Sequence, residues 1–205
     1  VTIIYRIVGE GTKFMADIKK GSEIDIMGPL GRGYDVLSLK KGQTALLVGG
    51  GIGVPPLYEL AKQFNQRGIK TIAILGFNTK DEVFYEEEFK KFGETYVSTV
   101  DGSVGTKGFV TDVIKKLQAE NNLVFDKYYS CGPVPMLKAL ISTVGEDGYV
   151  SLENRMACGI GACYACVCKK KKKDKDIIAY DEKKVEYTRV CYDGPVYLAS
   201  DVEIE

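Results

Sequence analysis

The chain has 205 residues, room for more than one minimal domain and fewer than three full-sized ones, and its 45% hydrophobic and 27% charged content excludes a mostly disordered chain. Lys+Arg and Asp+Glu are 28 each, so the net charge is zero and no nucleic-acid partner is expected. Histidine is absent, which removes His triads, His metal sites and His proton shuttles, and neither a membrane span nor a signal peptide is visible.

Residues 1–41 read as β structure, with three strands at most. VTIIYRIV (1–8) is β-branched and aromatic, and MADIKKGSEIDIMGPLG (15–31) gives short runs broken by Gly and Pro. That is too few strands for an independent barrel. Residues 42–150 alternate between strand and helix patterns. TALLVGG (44–50), TIAILGF (71–77), TYVSTV (95–100), KYYSCG (127–132) and YVSLEN (149–154) predict strands. Helices are predicted over 55–67, 85–92, 109–118 and 135–144. Short apolar strands alternating with helices point to an α/β fold with a parallel sheet covered on both faces. Residues 151–205 change character. They hold a cysteine cluster, a lysine run KKKKKDKD (169–176) read as a solvated hairpin tip, and a weak strand DIIAY (176–180).

Five of the six cysteines lie at or beyond Cys158, at the end of what otherwise reads as a cytoplasmic protein. Clustering of that kind favours a metal centre over a secreted disulfide framework. The spacing is Cys158-x4-Cys163-x2-Cys166 with a distant Cys191, the plant-type [2Fe–2S] pattern. Gly159, Gly161 and Ala162 remove side chains where backbone N–H groups must approach sulfur. Structural zinc and unligated thiols remain alternatives. Zinc sites more often use two C-x2-C knuckles. The spacing leaves Cys168 over, as a small buried or half-exposed thiol.

GGGIGVPP (49–56) follows a strand and opens a helix, which suits a diphosphate at a helix N-terminus. It departs from G-x-G-x-x-G, with a Pro at the sixth position counted from Gly51, and a plain strand-to-helix turn is the alternative. Gly51 and Gly53 permit close backbone approach, and Pro56 fits a first helical turn. SCGPVPML (130–137) ends a later strand, where Cys131 and Gly132 would lie against a nicotinamide or simply fill the core.

These motifs together resemble one family. ENRMACGIGACYACVCK (153–169) and RVCYDGPVY (189–197) resemble the iron–sulfur, electron transfer subunits of bacterial dihydroorotate dehydrogenase B. IIYRIVGEGT (3–12), GPLGRGY (28–34), GGGIGVPP and SCGPVPML resemble that family's second flavin motif, its Gly-rich turn, its pyridine-nucleotide loop and its nicotinamide-side motif. More broadly the chain is similar to ferredoxin–NADP reductases. The resemblance implies a partial FAD-binding β-barrel (1–41), an NAD-binding parallel sheet (42–150) and a small [2Fe–2S] domain (151–205). It implies that Ile4, Tyr5, Arg6, Gly11 and Thr12 face FAD, with Arg6 on its pyrophosphate. It places NAD at Gly51, Gly53, Cys131 and Gly132, with Cys131 nearest the hydride chemistry, and the cluster on Cys158, Cys163, Cys166 and Cys191.

The family's first flavin motif, an Arg-Pro-x-Ser strand, is absent and would lie upstream of Val1, so residues 1–205 alone are expected to hold FAD weakly. The implied route runs from dihydroorotate, oxidised on an FMN-bearing partner subunit in a heterotetramer, through the cluster and FAD to NAD. Met156, Ile160 and Tyr164 offer an apolar contact face for that partner. In GFNTKDE (76–82), Asp81 and Glu82 offset Lys80, so NAD is read over NADP. The alternatives are a related flavin relay serving a hydrogenase, a sulfide dehydrogenase or ferredoxin, and a zinc-stabilised interaction domain without catalysis.

Overall fold

A computed structural model describes residues 2–171 and 186–205. Its centre is a seven-stranded sheet. The strands are β1 (Thr44–Gly50), β2 (Lys70–Phe77), β3 (Gly93–Thr99), β4 (Thr106–Lys107), β5 (Lys127–Cys131), β6 (Gly148–Ser151) and β9 (Val196–Leu198), in the order β4-β3-β2-β1-β5-β6-β9. All neighbours pair in parallel except β9, which runs antiparallel to β6. Between them come α2 (Val54–Gln66), α3 (Glu86–Lys90), α4 (Val110–Ala119) and α5 (Val134–Val144).

Strand alternation sorts the core into two layers. Leu46 and Val48 of β1, Ile72 and Ile74 of β2 and Tyr128 of β5 pack with Val113, Ile114, Leu137 and Leu140 of α4 and α5. Ala45, Leu47, Ala73, Leu75 and Tyr129 face the other way, onto Leu57, Leu60 and Phe64 of α2 and Phe89 of α3. A strand buried on both faces has no polar side, which is why these runs read as continuously apolar. The chain moves outward from β1 through β2, β3 and β4, then returns to β5 on the other side of β1. That reversal leaves a crevice above the carboxyl ends of β1 and β5, the place where open α/β sheets bind ligands.

The C-terminal segment adds a two-stranded antiparallel pair, β7 (Val167–Lys169) with β8 (Tyr187–Arg189), before β9 joins the main sheet. The strand expected over 176–180, and the lysine run from 172 onward, lie outside the described residues.

The strands expected in 1–41 are corrected. Residues 2–41 contain no named strand; they hold one short helix, α1 (Glu10–Ala16), and an isolated bridge from Arg32 to Pro195. A β-branched run is a strand only when a neighbour takes its N–H and C=O groups. No described segment pairs with 2–8, and Ile3, Ile7 and Val8 are exposed.

Candidate electron-transfer site

The crevice is lined by glycines with different tasks. Gly51, Ile52 and Gly53 form a 3-10 turn between β1 and α2. Gly51 has φ +52°, left-handed backbone, with open space where a Cβ would stand. Gly53 is packed against β5: a Cβ there would come within 2.1 Å of the Cys131 carbonyl oxygen. α2 carries Pro55 and Pro56, which have no N–H, in its first turn, and the Val54 N–H donates to the Gly51 carbonyl, so this end of α2 offers a diphosphate the positive pole of its dipole rather than a set of free donors.

Cys131 stands opposite Gly49 in the β1–β5 register. Burial pushes its thiol up to about 11, so it is neutral near pH 7 and does not act as a thiolate nucleophile. Tyr34, from the GPLGRGY turn, donates a 2.9 Å hydrogen bond to the Ser130 carbonyl, and burial pushes its phenol well up. Sequence reasoning singled out that turn and not Tyr34. A tyrosine reaching a strand 96 positions away leaves no spacing signal. At the end of β2, the Glu82 carboxylate accepts from Asn78 Nδ2 at 2.8 Å and from the Asn78 N–H at 3.3 Å.

The clustered cysteines come in two pairs. The Cys163 N–H points at Cys158 Sγ at 3.4 Å, and the Cys191 N–H points at Cys166 Sγ at 3.4 Å. Gly159 (φ +70°) and Gly161 (φ +79°) fold the loop back on itself. This gathers the N–H groups of Cys163, Ile160 and Ala162 around Cys158 and brings its thiol down to about 6. Cys191 is pushed up, first by its hydrogen bond with the Cys166 thiol and then by burial. Cys166 and Cys191 are buried; Cys158 and Cys163 are half-buried. Among the described residues, no three of Cys, Asp and Glu converge as ligands of a single ion. Two thiol pairs, on one tight loop and one separate turn, have the chemistry that a two-iron cluster takes as donors. Cys168 stands apart on β7, where burial raises its thiol and the Tyr197 side chain bonds to it. Cys166 lies in the turn just before β7, so strand alternation does not carry the two thiols to one side.

The N-terminal candidates lie elsewhere. Ile4 and Tyr5 are 38% exposed. Arg6 reaches Glu82 at 3.5 Å. Gly11 and Thr12 sit in α1. The Thr12 hydroxyl accepts from the Val8 and Gly9 N–H groups at 2.9 and 3.1 Å and donates to the Gly9 carbonyl at 3.0 Å.

Comparison with known proteins agrees with this geometry. Residues 153–203 match the iron–sulfur cluster binding domain of dihydroorotate dehydrogenase B, and residues 47–141 match an oxidoreductase NAD-binding domain. The chain is 87% identical over 205 residues to the dihydroorotate dehydrogenase B (NAD(+)) electron transfer subunit of Fusobacterium nucleatum, covering all of this chain and 75% of that protein. The chain belongs to the family of dihydroorotate dehydrogenase B electron transfer subunits. The corresponding subunit of Lysinibacillus sphaericus is 56% identical over 96% of this chain and 72% of its own length. A solved NADH-dependent reduced ferredoxin–NADP oxidoreductase, described for flavin-based electron bifurcation, superposes with a TM-score of 0.79. It is 30% identical and is matched over 98% of this chain and 67% of its own.

The ferredoxin-reductase-like α/β fold, with its iron–sulfur and NAD-binding domains, is therefore as expected. The protein is an oxidoreductase subunit that carries electrons for dihydroorotate dehydrogenase B in pyrimidine biosynthesis, alongside a catalytic partner subunit. Among the described residues no helix is long and apolar enough to cross a membrane.

Proposed function

We propose that Cys158, Cys163, Cys166 and Cys191 hold a [2Fe–2S] cluster, with Cys158 and Cys163 on one iron and Cys166 and Cys191 on the other. The N–H to sulfur contacts that pair Cys163 with Cys158 in the folded-back loop, and Cys191 on its separate turn with Cys166, support this reading. Gly51, Gly53, Cys131 and Gly132 border NAD, and Ile4, Tyr5, Arg6, Gly11 and Thr12 belong to the face that takes FAD. Bound together, these groups would let a flavin take electrons one at a time from a cluster and hand two on as a hydride.

The chain's own residues do the positioning. The α2 N-terminus and the open Gly51 turn receive the diphosphate. The neutral Cys131 thiol and Gly132 form the wall at the nicotinamide end. Glu82, at the end of β2, repels a 2′-phosphate and favours NAD. To meet FAD, Arg6 exchanges its contact with Glu82 for the pyrophosphate, while Ile4 and Tyr5 are already open to solvent.

In this reading residues 1–41, 42–150 and 151–205 are the flavin, NAD and cluster segments. The subunit joins an FMN-bearing dihydroorotate dehydrogenase chain in a cytoplasmic heterotetramer. Exposed Met156, Ile160 and Tyr164 on the cluster loop support a partner contact there. Anaerobically purified protein should be red-brown, with two irons and two sulfides per chain. Cys191→Ser should lose the cluster and Cys168→Ser should keep it. A colourless product with stoichiometric zinc after reconstitution would sink the reading, and cluster loss in Cys168→Ser would overturn the ligand set.

A further inference from the structure

Arg189 ends β8, two residues before Cys191, and its side chain holds two separate parts of the cysteine site. On one side it grips its own turn. Nε donates to Asp193 Oδ2 at 3.1 Å and Nη2 to Oδ1 at 3.4 Å, while the Arg189 backbone N–H donates to Oδ2 at 3.0 Å. Its carbonyl accepts from the N–H groups of Tyr192, Asp193 and Gly194, which closes the turn that carries Cys191. On the other side, Nη1 donates to the Gly161 carbonyl at 2.6 Å. Gly161 lies midway between Cys158 and Cys163. The guanidinium also stacks 4.8 Å from the Tyr192 ring centroid, and that ring lies where a Cβ on Gly161 would stand.

We propose that Arg189 is a positioning residue, clamping the loop of Cys158 and Cys163 to the turn of Cys191, and that the Arg189–Asp193 pair keeps the charge beside the sulfurs balanced. This rests on the cluster reading above. The geometry explains why the residue is arginine. One planar fork holds a carboxylate on two nitrogens and still has a third for the carbonyl, whereas an ammonium offers a point charge and no fixed fork. With the Gly161 carbonyl turned out to the guanidinium, the N–H groups flanking it stay turned in toward sulfur, the arrangement of an anion nest. The pair's charges oppose each other. Reducing a cluster adds one negative charge, which a lone guanidinium favours and a lone carboxylate resists. Cutting the pair from either side therefore moves the potential in opposite directions, a signature that loss of packing alone does not produce.

The test uses the assembled, cluster-loaded holoenzyme under anaerobic conditions, reading iron release to a chelator and the midpoint potential by EPR titration. Arg189→Met should release iron roughly tenfold faster than wild type, with Arg189→Lys in between. The one-electron equilibrium should shift roughly tenfold, about 59 mV, downward in Arg189→Met and upward in Asp193→Asn. The double variant should return close to the wild-type potential. If Arg189→Met does not load, Arg189→Lys and Asp193→Asn decide. Wild-type iron release in Arg189→Lys overturns the clamp. Potentials that stay put, or move the same way in both charge variants, overturn the charge pairing. A wild-type protein holding zinc and no sulfide overturns the cluster reading instead.

Discussion

Gly53 and Gly51 stand two residues apart in one turn and are glycine for different reasons. Gly53 has ordinary backbone angles and no room; Gly51 has room and a left-handed backbone. An alanine at 53 drives a methyl into the Cys131 carbonyl, so β1 and β5 must part where the nucleotide crevice lies. Gly53→Ala should cost about 1–3 kcal/mol and weaken NADH binding. Gly51→Ala should cost about 1–2 kcal/mol through backbone strain alone. Thermal unfolding and NADH titration of the two variants check this, and wild-type NADH affinity in Gly53→Ala would refute the packing argument. At this scale the sequence was legible where chemistry needs a fixed spacing. The cysteine run pointed to a two-iron site because few other sites need that run. Arg189 and Tyr34 were not legible, because each acts on a carbonyl distant in the chain and no local pattern records such a bond.

Elements were legible wherever burial imposes a period. The expected strand 44–50 coincides with β1, and the helices expected over 55–67 and 109–118 lie within about a residue of α2 and α4. The N-terminal segment misled for the opposite reason. Its β propensity is real, but a strand is a relation between two segments, and residues 2–8 have no described partner. α1 shows how little holds this segment: none of its residues is buried, and seven residues are too few for a self-sustaining helix. Its start depends on Thr12 Oγ1 tying the turn at Val8 and Gly9. Thr12→Val should remove those bonds and let α1 fray, costing about 1 kcal/mol locally. Hydrogen exchange of residues 10–16 should approach the unprotected rate, while global unfolding changes by less than about 0.5 kcal/mol. A comparable fall in sheet stability would show that α1 is packed more firmly than its exposure implies.

In the whole molecule the cysteine segment shares a core with one face of the main sheet. Cys166, Val190, Cys191, Ala199 and Val202 pack in the same buried layer as Val150 and Leu152. The Leu152 N–H donates to the Pro195 carbonyl, and β9 completes the ladder on β6. This join escaped sequence reasoning because β9 is three residues long, too short for alternation to mark it, and its partners on β6 lie far back in the chain, Ser151 opposite Val196 and Tyr149 opposite Leu198. The other flank, β2 with β3 and β4, lies beyond β1 in the strand order, and none of its strands pairs with β5, β6 or β9. If four sulfurs anchor the Cys191 turn through a cluster, removing iron should loosen that turn, then β9, then β6, and stop at β1. Amide exchange at Gly148–Ser151 and Val196–Leu198 should accelerate roughly tenfold on iron chelation, equivalent to about 1.4 kcal/mol of lost local stability. Ile72, Ile74 and Leu75 should exchange at an unchanged rate. Uniform acceleration across all seven strands would mean that cluster and sheet unfold as one unit. No change at β6 would mean that the shared layer is held by its apolar contacts without help from the metal site.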